Sequence, residues 1–263
     1  MSIRNSVRRG LVGLDSRLGI REWLRQDQGA NDAPALPQPS DPFALAELQH
    51  PRPNTVLDIG GSHGQFVKEA VRFFPGANIY SFEPIPECYR ELLALCELVP
   101  ALHPTNTALG DRDGEVDLWV SAFRDSSSIQ EMMPAHTEAW PHTGIEAKIR
   151  VPIARLDSIA SELDLKPPIF AKLDVQGHEL AVINGGRETL SRCERVMLEC
   201  NFAPLYKGQP SFTQLYDELH ALGFLFDGFI SALRHPQTFE QLSSDAVFYK
   251  PPEAAVPDGD KAK

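Results

Sequence analysis

The chain has 263 residues, of which 42% are hydrophobic and 23% are charged, and its formal net charge is −11. This length and composition predict a globular protein with one large core, or one core with extensions. The negative charge argues against a nucleic-acid backbone as partner, because phosphate binding depends on clustered Lys and Arg side chains.

Cysteine usage and hydropathy predict a cytoplasmic protein. The four cysteines are scattered and form no C-x-x-C pair: Cys88, Cys96, Cys193 and Cys200. Free thiols in a reducing compartment fit this distribution best. The sequence shows no run of about 18 apolar residues that would span a membrane, and its beginning lacks the apolar stretch of a signal peptide.

Residues 1–26 are predicted to form a basic amphipathic N-terminal helix. Apolar side chains repeat at helical spacing over residues 3–25, among six arginines: Arg4, Arg8, Arg9, Arg17, Arg21 and Arg25. Such a helix could make a peripheral contact with an anionic membrane surface. It could equally pack on its own domain or on a second subunit of a homodimer.

Three further segments follow this helix. Residues 27–53 are rich in proline and are predicted to be a linker. Residues 54–250 form one domain in which strands alternate with helices, and residues 251–263 have the composition of a disordered tail.

The domain is organised around a buried strand, residues 56–59, that ends in the glycine-rich turn 60–64. A helix at 65–74 follows, so the turn presents backbone N–H groups and a helix N-terminus to one crevice. A second strand, 78–82, ends in Glu83, where a carboxylate is well placed to accept both hydroxyls of a ribose. Together these features predict a nucleoside site.

The remaining pattern predicts an α/β fold with a parallel sheet covered on both faces and an antiparallel last strand. A third strand near 105–109 and a strand at 115–120 are predicted to form a hairpin across the turn 110–114. Residues 121–147 are irregular and suggest a functional loop. The other predicted elements are a helix at 87–98, a strand at 149–153, a helix near 156–163, a strand at 169–173, a helix from about 179, a strand at 195–198, a helix at 212–222 capped by Ser211, and strands near 224–226 and 246–249.

Carboxylates stand at or near the ends of several predicted strands: Asp58, Glu83, Asp111, Asp174 and Glu199. Because ligands bind beyond the carboxyl ends of parallel strands, these side chains predict an acidic rim. Such a rim suits a cationic ligand, a divalent metal ion, or a substrate hydroxyl that needs a base. Each carboxylate could also have a purely local role, such as holding a turn or capping a helix.

Two short motifs compete for the turn after the first strand. The dinucleotide pattern G-x-G-x-x-G fits poorly, because Ser62 and Gln65 stand at two glycine positions. Residues 60–64 match G-x-S-x-G, the nucleophile elbow of α/β-hydrolases. In hydrolases several strands precede the elbow, whereas here it follows the first predicted strand, so the hydrolase interpretation is disfavoured.

The chain resembles class I S-adenosylmethionine-dependent methyltransferases, and more closely the FkbM family, over roughly residues 54–250. The segments that carry the resemblance are 56–65, 80–84, 108–114, 172–179 and 198–199. The resemblance implies a Rossmann-like class I methyltransferase fold, with a mostly parallel seven-stranded sheet, an antiparallel last strand and an inserted hairpin. The family frequently has Glu at position 176, where this chain has Gln.

The resemblance implies S-adenosyl-L-methionine as cofactor and indicates the residues that bind it, and the strand ends and loop compositions suggest residues for two further roles. The residues predicted to bind the cofactor are Asp58, Gly60, Ser62, Gly64, Glu83, Leu109 and Asp111. The residues predicted to take a proton from a hydroxyl acceptor are Asp174, His178 and Glu179, with His178 one helical turn from Asp174. The residues predicted to contact the acceptor are Ser128, Glu199, Asn201 and Tyr206, with aromatic stacking in the loop 201–210. A metal ion at Asp174 and Glu199 is possible but not favoured.

The implied function is O-methylation of a hydroxyl on a glycan or natural product, with no nucleic-acid partner. The alternative is a cofactor-binding module of the same fold that does not catalyse, and Gln176 is the sequence feature that favours it.

Overall fold

A computed structural model describes residues 52–251. The predicted N-terminal helix lies outside these residues, as do nearly all of the linker and the tail. Within residues 52–251, no helix has the length and apolar character needed to cross a bilayer.

The strands are β1 Thr55–Ile59, β2 Asn78–Phe82, β3 Leu102–Thr105, β4 Ala108–Leu109, β5 Gly114–Ser121, β6 Ile145–Ala154, β7 Ile169–Leu173, β8 Arg195–Asn201, β9 Leu225–Phe229, β10 Leu233–Arg234 and β11 Gln241–Tyr249. The α-helices are α1 Gln65–Phe73, α2 Pro86–Cys96, α3 Pro134–Ala139, α4 Leu156–Ile159, α5 Glu179–Gly185, α6 Arg187–Leu190 and α7 Phe212–Ala221. Short 3₁₀ turns occupy Arg124–Ser126, Pro141–Thr143 and Ala160–Glu162.

The central sheet runs in the order β10-β11-β8-β7-β1-β2-β3. The five strands from β8 to β3 are parallel, and β11 lies antiparallel to β8. The predicted parallel sheet with an antiparallel last strand is therefore confirmed. Both β9 and β10 pair with β11, so the sheet has eight strands where seven were predicted.

A second sheet of three strands, in the order β4-β6-β5, corrects the predicted hairpin. The two-residue strand β4 pairs with β6 in parallel, and β5 pairs with β6 along its whole length in antiparallel. The turn 110–114 therefore carries the chain across β6 and does not join two paired strands. The third strand of the central sheet, β3, lies upstream of the predicted position. The segment 121–147, predicted to be irregular, contains α3 and the start of β6.

The core lies around β1 and β7, in which every residue is buried. Parallel strands covered by helices on both faces have this pattern. Burying one large aliphatic or aromatic side chain contributes about 1.5–3 kcal/mol, so this packing fixes the strand ends relative to one another.

The end of β1 approaches the end of β7 so closely that only glycine fits at position 60. Gly60 has a φ of 89°, and a Cβ built there would lie 1.9 Å from the carbonyl oxygen of Asp174. This contact places the glycine-rich turn and the loop after β7 side by side.

Candidate functional site

A cavity of about 340 Å³ lies beyond the carboxyl ends of the central strands. Its walls are formed by the turn after β1, the end of β2, the small sheet and the loop after β7, as shown by Gly60, Glu83, Leu109, Leu118 and Asp174. Cavities of this size and place commonly bind small molecules in α/β proteins.

Glu83 forms one wall of the cavity with a carboxylate that the backbone holds in place. Its Oε2 accepts a hydrogen bond from the Ser62 amide at 2.8 Å, and its Oε1 accepts one from the Ile85 amide at 2.7 Å. The residue is only 4% exposed. Burial raises the pKa of Glu83 to about 7, although both backbone hydrogen bonds lower it. The carboxyl group therefore changes its ionisation state near neutral pH.

Ser62 connects the turn after β1 with the segment after β5. Its φ of 41° is unusual for a residue other than glycine, and its Oγ donates to Asp125 Oδ1 at 2.5 Å. Both residues line the cavity. The turn therefore has a fixed shape that presents its backbone to a ligand.

Lys172 is a charged residue in the buried strand β7. Its Nζ donates to the Gly60 carbonyl oxygen at 2.8 Å and lies 3.5 Å from carboxylate oxygens of both Asp58 and Asp174. Burial lowers the pKa of Lys172, but Asp174 and Asp58 raise it more, so the net shift is upward and the side chain stays charged. This ammonium group holds β1 and β7 together beneath the cavity.

The cavity lining is acidic. Five carboxylates line it, against two cations: Glu69, Glu83, Asp125, Asp174 and Asp245 against Arg124 and Lys172. Arg124 is paired with Glu87 and Glu146, and Lys172 is held by Asp58 and Asp174. The wall therefore favours a cationic ligand.

The loop after β7 is held by Gln176, whose φ of 55° lies in the left-handed region. Its Nε2 donates to Asp174 Oδ1 and to Glu199 Oε2, each at 2.7 Å. Its Oε1 accepts from the Tyr206 hydroxyl at 2.6 Å, and its backbone oxygen accepts from Ser128 Oγ at 2.6 Å. All hydrogen-bonding atoms of the side-chain amide are thus engaged.

Of the predicted catalytic residues, Asp174 lines the cavity and Glu179 does not. Glu179 is buried, and its Oε1 accepts from the amides of Val175 and Gly177, each at 3.1 Å. Burial raises its pKa to about 7. The carboxylate therefore holds the loop after β7, and the geometry gives it no path to an acceptor in the cavity.

His178 also lies outside the cavity lining. The helix α5 begins at Glu179, so the predicted one-turn spacing between Asp174 and His178 is wrong. The imidazole Nδ1 lies 3.4 Å from Gln130 Nε2, and Nε2 is buried without a hydrogen-bond partner among the described residues. Burial lowers the pKa of His178 to about 4, so the ring is neutral at pH 7.

The residues predicted to contact the acceptor lie at different depths. Ser128 lines the cavity, but its Oγ is bonded to Gln176. Glu199 lies behind the Gln176 amide, and both amide atoms of Asn201 are buried without a partner among the described residues.

Tyr206 is only 2% exposed, and its ring packs edge-on against His136 with the ring centroids 5.3 Å apart. The predicted stacking of Tyr206 on an acceptor is therefore corrected, because its ring belongs to the protein interior.

Four of the predicted cofactor residues line the cavity, namely Gly60, Ser62, Glu83 and Leu109. Three do not. Asp58 is fully buried beneath the turn and accepts from Ser81 Oγ at 2.7 Å, Gly64 caps the start of α1, and Asp111 is exposed in the turn after β4.

Sequence reasoning missed Lys172, Asp245 and His136 as parts of the site. A lysine inside the apolar strand β7 is a usable signal, because a buried charge needs partners. Asp245 interrupts β11 in the same way. His136 has no such signal, since it reaches the site through a tertiary contact with Tyr206.

Among the described residues, no group of three or more His, Cys, Asp and Glu side chains is arranged to hold a metal ion. Asp174 and Glu199, the possible ligands, are joined through the Gln176 amide.

A family model described as the methyltransferase FkbM domain matches residues 58–226. Over 179 residues the chain is 28% identical to the 2-O-methyltransferase NoeI of Sinorhizobium fredii, an alignment that covers 65% of this chain and 73% of that protein.

Two solved structures show more distant similarity. Fibrillarin of Aeropyrum pernix with natively bound S-adenosyl-L-methionine is 12% identical, with a TM-score of 0.46 and coverage of 80% of this chain and 75% of that one. Precorrin-6y C5,15-methyltransferase of Geobacter metallireducens is also 12% identical, with a TM-score of 0.43 and coverage of 85% and 95%.

Proposed function

Because the chain belongs to the FkbM methyltransferase family, we propose that it is an S-adenosylmethionine-dependent enzyme that methylates a hydroxyl group of a glycan or natural product. The observation that carries the proposal is the cavity wall at Glu83. A buried carboxylate fixed by two backbone amides faces a cavity of nucleoside size at the end of β2. The name of the relative, a 2-O-methyltransferase, supports a hydroxyl acceptor.

The residues of the cavity fit the proposed cofactor in three respects. The Glu83 carboxylate suits a ribose diol. Apolar side chains of the small sheet and its surroundings suit an adenine ring: Ile85, Leu109, Leu118 and Ile129. The acidic lining around Asp174 and Asp245 suits the positive charges of the methionine end.

When bound, S-adenosylmethionine supplies a methyl group on a sulfonium, which transfers in line to the acceptor oxygen. The protein's part is to bind and align, an effect that can supply about 7–11 kcal/mol in favourable cases. The protein also has to remove the hydroxyl proton. We assign that role to Asp174, because it lines the cavity and 36% of its side chain is exposed.

Cofactor binding is the first test. Titration calorimetry with S-adenosylmethionine and with S-adenosylhomocysteine should show binding to the wild type. Glu83→Gln should weaken both by about tenfold or more, since it removes the charge and leaves one backbone amide facing an NH₂ group. Glu115→Gln is the matched control, because this glutamate is exposed on β5 and pairs with Arg150. Equal affinity in all three proteins would remove Glu83 from the site.

Methyl transfer is the second test, and it separates the enzyme from a non-catalytic module. Wild-type protein with methyl-labelled cofactor should transfer the labelled methyl group to a component of an extract from a strain lacking the gene. Asp174→Asn should still bind S-adenosylhomocysteine, more weakly because one acidic group of the lining is lost, and at saturating cofactor it should transfer at least about a hundredfold more slowly. Cofactor binding without transfer to any sugar, lipid or small-molecule fraction would favour the non-catalytic alternative.

A further inference from the structure

A chain of hydrogen bonds leads from the protein interior to the carboxylate at the cavity wall. His136 Nε2 lies 3.2 Å from the Tyr206 hydroxyl, which donates to Gln176 Oε1 at 2.6 Å. Gln176 Nε2 in turn donates to Asp174 Oδ1 at 2.7 Å. Asp174 lines the cavity, whereas His136 and Tyr206 do not.

The far end of this chain is rigid. His136 is 3% exposed, its Nδ1 lies 2.9 Å from Thr143 Oγ1, and its ring packs edge-on against both Trp140 and Tyr206. Burial lowers the pKa of His136 to about 4, so the imidazole is neutral at pH 7. The Tyr206 hydroxyl also lies 3.1 Å from the Ser126 carbonyl oxygen. These contacts hold the hydroxyl at one position, where it supports the orientation in which the Gln176 oxygen faces Tyr206 and the NH₂ group faces the two carboxylates.

We propose that Gln176, Tyr206 and His136 are positioning residues that hold the Asp174 carboxylate toward the acceptor. The inference rests on the proposed function of Asp174 as proton acceptor. With its oxygen turned toward Tyr206, the Gln176 amide directs both N–H groups to carboxylates, one on Asp174 and one on Glu199. Asp174 then keeps its second oxygen, Oδ2, for Lys172 and the cavity.

The charges around Gln176 and Asp174 explain why an amide suits position 176. Charged and titratable groups face Gln176 and Asp174 from β1, β7, β8, α5 and β11: Asp58, Lys172, Glu199, Glu179 and Asp245. A carboxylate at position 176 would add a further negative charge and could not donate to Asp174 and Glu199. It could bridge them only in its protonated form, with one proton in place of two.

We call the hydrogen-bonded series His136, Tyr206, Gln176 and Asp174 the relay. Tyr206→Phe tests it with little change in packing. Without the hydroxyl, the Gln176 oxygen loses its hydrogen-bond donor, and only the bonds to Asp174 and Glu199 hold the amide. In protein labelled with ¹⁵N-glutamine, the Gln176 side-chain NH₂ protons should exchange with water faster than in the wild type, and the signal is assigned by its absence in Gln176→Met. Labelled methyl transfer into the deletion-strain extract should fall about tenfold at saturating cofactor, while S-adenosylhomocysteine binding stays unchanged.

Tyr80→Phe is the matched control. The Tyr80 hydroxyl is also buried, accepts from the Asp164 amide at 3.1 Å and does not line the cavity. This variant should leave both the amide exchange and the transfer rate at wild-type levels. If Tyr206→Phe behaves like Tyr80→Phe in both measurements, the relay is wrong.

Two substitutions at position 176 separate positioning from packing. Gln176→Met keeps the length of the side chain and removes its hydrogen bonds, so transfer should be slow at every pH. Gln176→Glu should approach wild-type transfer at low pH and lose it as the pH rises, since the introduced carboxyl bridges only when protonated. Parallel pH profiles for the two variants would overturn the relay.

The proposed function can fail separately from the relay. If the wild type binds neither S-adenosylmethionine nor S-adenosylhomocysteine, the proposed function is wrong. The NH₂ exchange of Gln176 in Tyr206→Phe and Tyr80→Phe still decides whether the tyrosine hydroxyl fixes the amide.

Discussion

At the scale of single residues, Glu83 is buried and yet faces the cavity proposed to bind the cofactor. Burial raises its pKa from the ordinary value of 4.5 to about 7, and Glu179 shows the same shift for the same reason. A carboxyl group with a raised pKa in the folded state stabilises the fold fully below its unfolded pKa, and this contribution is lost as the pH rises through about 7. The ligand-free domain therefore loses free energy of unfolding from these two groups between pH 4.5 and about 7.

Cofactor binding should depend on pH through Glu83 with the opposite sign. A ribose diol and a cationic methionine end favour the ionised carboxylate, so affinity should rise as the pH increases from about 6 to about 8. If binding requires the ionised form of Glu83, the affinity should rise about tenfold over this range. Calorimetry in two buffers of different ionisation enthalpy should detect proton release on binding. Equal wild-type affinity at both pH values, or the same pH dependence in Glu83→Gln, would contradict this assignment.

At the scale of elements, the turn between β1 and α1 depends on how closely two backbones approach. Gly60 and Gly76 have nearly the same φ, 89° and 90°, but differ in their surroundings. A Cβ at position 60 would lie 1.9 Å from a backbone oxygen, whereas a Cβ at position 76 would have no neighbour within 4 Å. The pair therefore separates the strain of a positive φ from the cost of a steric clash.

Gly76→Ala should lower the free energy of unfolding by about 1–2 kcal/mol, the cost of placing a Cβ in the left-handed region. Gly60→Ala should cost about 3 kcal/mol or more and weaken cofactor binding, because β1 and the loop after β7 must separate. Urea unfolding and calorimetry with S-adenosylhomocysteine measure the two effects. Similar losses in the two variants would mean that the contact with Asp174 is unimportant.

Elements with strong local patterns could be predicted from the sequence. The alternation of β1, α1 and β2 and the cap of α7 follow from apolar spacing and local hydrogen bonds, and Ser211 forms a capping box with Gln214. The partner of a two-residue strand has no local signal. For this reason the sequence predicts that a strand near 105–109 pairs with 115–120, whereas β4 pairs with Ile153 and Ala154 of β6.

The residues of the site also divide into those that the sequence could predict and those that it could not. Gly60, Ser62, Glu83 and Asp174 follow strands directly, so the topology alone brings them to one edge. Tyr206 lies in a loop, and its sequence does not reveal whether the ring points outward or inward. The contact with His136, 70 residues away in the chain, decides that question.

At the scale of the whole molecule, the net charge of −11 and the acidic cavity lining act together. Their combined potential should attract the charged cofactor more than its neutral demethylated product. Raising the ionic strength from about 0.01 M to about 1 M shortens the Debye length from about 30 Å to about 3 Å. The affinity for S-adenosylmethionine should therefore fall more than that for S-adenosylhomocysteine. Calorimetry at both salt concentrations measures the ratio of the two affinities. If this ratio does not change, the electrostatic potential of the protein does not discriminate between the charged cofactor and its neutral product.

The two loops that border the site form a single unit. The Lys207 amide donates to the Glu131 carbonyl oxygen at 2.8 Å, the Met133 amide donates to the Leu205 carbonyl oxygen at 2.9 Å, and Met132 and Tyr206 form a bridge between them. Because these contacts join backbone atoms, a change of length or backbone conformation in one loop requires a matching change in the other. A chimera between family members should inherit 121–147 and 201–210 from the same parent, and exchanging one loop alone should yield mismatched, poorly folded hybrids.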